Sequence, residues 1–177
     1  MIEPGTPVTD GAGPPPATPK QVLDALVAAD ATVAVAESLT GGLLTAALTE
    51  PAGASNAVRG GLVVYATDLK ATLAGVPVPL LGAEGPVSPD VAGALAAGAR
   101  DRLGATYGLG VTGVAGPDPQ GGCPVGTVYV GLAGPGGGLV RQLRLSGDRT
   151  AIRAATVAAA LAELLAAVRA RSAELPA

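Results

Sequence analysis

Residues 31–50 read ATVAVAESLTGGLLTAALTE. As far as Ser38 the run is apolar and partly β-branched, and too short for a helix, so it reads as a buried strand. After Gly41 and Gly42, LLTAALTE has the make-up of a helix, which Pro51 ends. A strand that feeds straight into a helix is the opening unit of an α/β fold. The flanking segments extend the alternation. Upstream, TPKQVLDALVAAD offers Thr18 as cap, Pro19 in the first turn and one apolar stripe at Val22, Leu23, Leu26 and Val27, which predicts a helix. Downstream, residues 51–61 read as a loop, LVVYAT (62–67) as a second strand, DLKATLAG (68–75) as a short helix with Gly75 past its end, and residues 76–87 as a loop.

The second half completes the order. SPDVAGALAAGARDRLG, with Ser88 as cap and Gly104 as stop, predicts a helix. ATYGLGVTGVAG holds a third strand. VGTVYVGLAG and GLVRQLRLSG read as a fourth and fifth, joined by a glycine-rich hairpin turn. Val157, Leu161, Leu164, Leu165 and Val168 mark one face of a last helix from about Arg149 to Arg171. The order is α-β-α-β-α-α-β-β-β-α. Early alternation implies parallel pairing, and the late hairpin brings in antiparallel pairing. The expected fold is an α/β domain of three layers, α/β/α, with a mixed, mostly parallel sheet. Residues 1–17 read as a flexible Pro/Gly-rich tail, 18–172 as one domain, and 173–177 as a C-terminal tail.

Composition narrows the chemistry. Of 177 residues, 49% are hydrophobic but only 2% aromatic, so Val, Leu and Ala must build the core. The net charge is −3 and there is no long basic run, which removes the electrostatic footprint of a nucleic-acid binder. With no Phe or Trp and three Tyr, base stacking is poorly served too. One cysteine excludes an intrachain disulfide and a Cys cluster for zinc. The first residues resemble no signal peptide, and the Ala- and Gly-rich stretches are too weakly apolar to insert in a bilayer, so a cytoplasmic protein is expected. There is no histidine at all. Ser-His and Cys-His nucleophiles are therefore excluded, and any proton must move through Lys, Asp, Glu, Tyr or water.

Three stretches are candidates for a site. Ser38 lies at the carboxyl end of a strand, where open α/β sheets bind ligands, and the following helix start offers free amides. The structural alternative is that Ser38 or Thr40 simply caps that helix. Lys70 follows a strand that ends near Tyr65, so it comes to the same rim. A lysine desolvated beside a serine can act as its base; a solvated surface charge is the alternative. Residues 108–113 spell G-x-G-x-x-G, but Gly116-Pro117 follows instead of a helix and no acid stands about 20 residues on, so a dinucleotide fingerprint is rejected. Thr112 and Gly113, at that strand's end, suit ligand contact, or the glycines serve tight packing. Asp68, Asp90, Asp118 and Asp148 are scattered and read as solvated or capping, not as a metal cluster.

In order along the chain, AESLTGG, GGLVVYATDLK, GPVSPDVA, GVTGVAGP, PVGTVYVGLA and SGDRTAIR resemble the C-terminal domain family of CinA, the competence/damage-inducible protein. Stand-alone members of that family are nicotinamide-nucleotide amidohydrolases. The resemblance spans roughly Pro19 to Val168. It implies deamidation of nicotinamide mononucleotide to nicotinate mononucleotide and ammonia, by a serine and a lysine, with no metal and no cofactor. On this chain it makes Ser38 the nucleophile, Lys70 its base and Thr112 a third catalytic residue. Glu37, Thr40, Gly41, Gly42, Tyr65 and Gly113 fall at the substrate, with the amides from Thr40 to Gly42 expected to hold the oxyanion. Arg153, or else Arg149, is expected to meet the phosphate. Glu37 either orients Lys70 or serves as a cap or ion-pair partner. The expected partner is that small molecule, not nucleic acid or membrane, and a homo-oligomer is expected. The competing reading is a non-catalytic nucleotide-binding or partner-binding domain on the same scaffold.

Overall fold

The computed structural model describes residues 7–9 and 13–174. Six helices flank one sheet among these residues. In chain order the elements are β1 (Val8–Thr9), α1 (Pro19–Ala28), β2 (Val33–Glu37), α2 (Leu43–Thr49), β3 (Val58–Val63), α3 (Thr67–Thr72), α4 (Val78–Glu84), α5 (Pro89–Leu103), β4 (Tyr107–Gly113), β5 (Thr127–Gly134), β6 (Gly137–Arg144) and α6 (Arg149–Glu174). The sheet order is β1-β6-β5-β4-β2-β3. β2 pairs in parallel with β3 and β4, β1 in parallel with β6, and β5 runs antiparallel to both neighbours. The fold is thus α/β with a mixed, mostly parallel sheet.

The two-residue period of β2 builds the layers. Val33 and Val35 face one side, in a core shared with α1 (Val22, Leu26), α2 (Leu44, Leu48) and α6 (Ile152, Leu164). Ala34 and Ala36 face the other, against Val64, Val91, Leu95 and Ala99 on the side of α5. Small residues on that second face let α5 come close. A Cβ at Gly108 would overlap the Ala96 carbonyl, and one at Gly110 or Gly131 the Ala92 carbonyl. Gly108 and Gly110 of GLGVTG therefore serve close helix–sheet packing in β4, the alternative to ligand contact.

Helix ends follow the sequence signals. Thr18 and Gln21 close a capping box, Ser88 accepts from the Val91 amide, and Gly104 ends α5 in the left-handed region at φ 60°. α6 is long and apolar enough to cross a bilayer by length and composition alone, against the expectation that no such stretch exists. Its apolar face is nevertheless part of the core, and its buried Glu163 pairs with Arg141 of β6.

The structure corrects the sequence-based boundaries in several places. The second strand is Val58–Val63, four residues earlier than expected. Gly60 and Gly61 had read as loop, but a Cβ at Gly61 would overlap Thr45, so its glycine admits α2 against β3. Residues 78–84, expected to be loop because of Pro77 and Pro79, form α4; both prolines sit at its start, where an amide is not needed. Within the expected N-terminal tail, Val8 and Thr9 pair with Val140 and Arg141. Residues 1–6 and 10–12 of that expected tail lie outside the described residues, as do residues 175–177 of the expected C-terminal tail, where α6 runs on to Glu174.

Candidate active site

The alternation of β2 carries past its end and separates Glu37 from Ser38. Glu37 continues the Val33–Val35 face and turns toward α2. Ser38 falls on the face of Ala34 and Ala36. Its amide still extends the ladder, donating to Val111 O at 3.0 Å. On that face α3 presents Lys70. The Lys70 Nζ donates to Ser38 Oγ at 2.9 Å and to Val64 O at 2.8 Å. Lys70 is only 1% exposed. Burial without an anionic partner lowers its pKa from 10.5 to about 8, so about a tenth of it is neutral at pH 7.

Ser38 and Lys70 lie in a cavity of about 130 Å³ whose wall also includes Tyr65, Thr112, Gly113 and Arg149. Thr112 is fully buried, lines the cavity from β4 and donates to Pro86 O at 2.6 Å. Arg149, at the start of α6, bridges two other walls: it donates to Gly116 O at 2.6 Å and to the Tyr65 hydroxyl at 2.8 Å. Tyr65, Lys70, Thr112, Gly113 and Arg149 are thus brought to Ser38 as expected.

Four expected substrate contacts and one cation are placed differently. Glu37 is fully buried and does not line the cavity. Its carboxylate accepts the amides of Gly42 (3.0 Å), Leu44 (3.0 Å) and Thr45 (2.8 Å), and the Thr45 hydroxyl (2.5 Å). It is the cap of α2, supplied by the preceding strand. That also answers what starts this helix: Gly42, at φ 99°, has no side chain to cap with. Neither Ser38 nor Thr40 caps it; the buried Thr40 hydroxyl has no hydrogen-bond partner among the described residues. The Gly41 amide is committed to Ser38 O and the Gly42 amide to Glu37, so the oxyanion donors expected from that pair are not free. Thr40, Gly41 and Gly42 all lie outside the cavity wall. Arg153, the favoured phosphate ligand, instead donates to Leu39 O (3.0 Å) and Thr40 O (2.7 Å) and clamps the loop behind Ser38. Arg149 is the arginine in the cavity.

Sequence reasoning missed several wall residues, among them Leu39, Thr67, Asp118 and Gln120. The turn-rich stretch PDPQ follows β4 directly. Its place after a strand carboxyl end was the available signal. Among the described residues no three His, Cys, Asp or Glu side chains converge as a metal site would need.

Comparisons with known proteins give the chain's family and agree with its fold. A family model for the CinA C-terminal domain matches residues 17–168. A CinA-like protein of Frankia casuarinae is 59% identical over 140 residues, covering 79% of this chain and 32% of its own length. A putative competence-damage inducible protein of Desulforamulus reducens is 48% identical over 136 residues, covering 77% and 33%. The chain spans about a third of the length of these curated relatives. Among solved structures, the competence/damage inducible protein CihA from Agrobacterium tumefaciens superposes with a TM-score of 0.81 at 38% identity, covering 85% of this chain and 93% of the other. A CinA superfamily protein from Klebsiella pneumoniae gives 0.83 at 29% identity, covering 86% and 96%.

Proposed function

This chain belongs to the CinA C-terminal domain family, and from that premise we propose that it is an amidohydrolase that converts nicotinamide mononucleotide to nicotinate mononucleotide and ammonia. The observation that carries the proposal is the 2.9 Å contact between Ser38 Oγ and the buried Lys70 Nζ. A buried amine with a pKa of about 8, in hydrogen-bond contact with a hydroxyl at a strand end, is an activated nucleophile in a chain without histidine.

In the proposed reaction neutral Lys70 takes the Ser38 proton as Oγ attacks the carboxamide carbon. The Leu39 amide follows the nucleophile directly and has no protein acceptor among the described residues, so it is available to the oxyanion. Thr112 Oγ, its proton held by Pro86 O, accepts from the substrate amide nitrogen. The lysine ammonium returns its proton to that nitrogen, the C–N bond breaks, and ammonia leaves. Water, deprotonated by Lys70, then attacks the acyl-serine ester. The C–O bond breaks, Ser38 regains its proton, and nicotinate mononucleotide departs. Arg149, with two of its five donors engaged, has others for the phosphate. The reading includes action in the cytoplasm on a small molecule, with no metal or organic cofactor.

The test is ammonia release from nicotinamide mononucleotide by the purified chain, followed by formation of the nicotinate product. Steady turnover supports the proposal. A chain that binds the nucleotide but releases no ammonia is the non-catalytic binding domain instead.

A further inference from the structure

Part of the cavity wall is built from the turn that follows β4, which Arg149 contacts through Gly116 O. Asp118 and Gln120 lie on it, both in the cavity lining and both exposed. Their side chains make no hydrogen bond or ion pair to the protein among the described residues, unlike Tyr65, Thr112 and Arg149 on the same cavity. The backbone of the turn is nevertheless tied down at Gln120. The Gln120 amide donates to Cys123 O at 3.2 Å and the Cys123 amide to Gln120 O at 2.9 Å. The Cys123 thiol approaches Val87 O at 3.7 Å, which ties the turn to the segment before α5. Two unengaged polar side chains are therefore held on this turn at the mouth of the site.

Their chemistry is selective. A carboxylate only accepts, and a carboxamide both donates and accepts. Asp118 repels a phosphate, and Gln120 carries no positive charge to neutralise one. Together they match vicinal hydroxyls, which donate to the carboxylate and exchange hydrogen bonds with the amide. An acidic side chain performs the same recognition of ribose in dinucleotide sites on other folds. A carboxamide held at half-buried Ser38 leaves the rest of the substrate to extend toward this mouth, with Arg149 as the cation for its phosphate.

We propose that Asp118 and Gln120 form a sugar subsite that reads the ribose diol of the substrate. The identity of that substrate rests on the deamidase reading. The subsite makes the site selective for an intact riboside over free nicotinamide and over sugar-modified analogues.

The test is calorimetric binding to Ser38→Ala protein, which removes turnover, with nicotinamide mononucleotide and its 2′,3′-dideoxy analogue as probes. Loss of the diol weakens binding about tenfold, the worth of a charge-assisted hydrogen bond. Adding Asp118→Ala weakens binding of the nucleotide by a similar factor and leaves the dideoxy analogue unaffected. Asp118→Asn, which keeps an acceptor, loses less. Equal losses for both probes, or unchanged affinity of the alanine variant for the nucleotide, overturn the subsite. Ammonia release by the unaltered chain is measured in parallel. Turnover with diol-insensitive binding keeps the amidase and rejects the subsite. Diol-sensitive binding without turnover rejects the amidase and keeps the subsite. No binding of the nucleotide by Ser38→Ala protein rejects the subsite, and rejects the amidase too when the unaltered chain releases no ammonia.

Discussion

Lys70 is an ionisable group that folding removes almost wholly from water, yet its Nζ keeps Ser38 Oγ and Val64 O as partners. Lys70→Arg retains the charge but cannot deprotonate. As base, Lys70 is therefore irreplaceable by Arg, and both Lys70→Arg and Lys70→Ala are expected to lose roughly 10²–10⁴-fold in kcat with KM for the nucleotide little changed. Steady-state kinetics on both variants check this; an active arginine variant moves Lys70 to substrate binding. In the unaltered protein kcat/KM should rise with pH through about 8, as the neutral amine forms. The same shift bears on stability. The folded pKa of about 8 lies below the unfolded value of 10.5, so the penalty for a desolvated ammonium is present in full below pH 8 and fades as pH rises toward 10.5. Lys70→Met should accordingly raise the thermal midpoint at pH 6, with a smaller gain at pH 9, as scanning calorimetry would measure. The pairing of Ser38 with Lys70 was legible from two strand ends and a short helix. The division of labour between Glu37 and Ser38 was also written in the sequence, in the period of Val33, Val35 and Glu37 against Ala34, Ala36 and Ser38. The attraction of a carboxylate beside a candidate nucleophile obscured it.

At the level of elements, α2 depends on a cap from outside itself. Glu37→Ala leaves the amides of Gly42, Leu44 and Thr45 without their acceptor. The expected loss is roughly 2–4 kcal/mol in urea unfolding, from a lost cap and stranded buried donors. A loss confined to KM with unchanged stability would restore Glu37 to the substrate. The glycine-rich strand β4 makes a second case. Gly110→Ala puts a methyl onto the Ala92 carbonyl of α5 and should destabilise by about 1–3 kcal/mol, because the helix must retreat from the sheet. The same density of glycine misled the placement of β3. Gly60 and Gly61 look like loop until α2 is seen to pack against Gly61. α4 was hidden by prolines that favour a helix start as readily as a turn, and by the lack of any fully buried residue on it. Capping signals at Thr18, Ser88 and Gly104 were local, and so were read correctly.

Over the whole molecule, alternating elements specify three layers, and the layers bring the carboxyl ends of β2 and β4, the start of α3 and the start of α6 to one cavity. The order of elements and the mixed sheet were legible because each depends on chain-local periodicity. The choice of Arg149 over Arg153 was not. Both lie one helical turn apart on α6, and only the loop behind Ser38 decides which of them it captures. The scattered acids predict that activity survives exhaustive chelation, as measured by ammonia release in excess EDTA; a loss reversed by added metal would return a metal-dependent phosphohydrolase. The central claim is covalent catalysis by Ser38. Its most direct measurement is acid-quenched peptide mass spectrometry after mixing the protein with nicotinamide mononucleotide. An acyl adduct of the nicotinate nucleotide on the peptide that contains Ser38, absent from Ser38→Ala protein that also releases no ammonia, is the predicted result. Ammonia release at a near-normal rate by Ser38→Ala would contradict it.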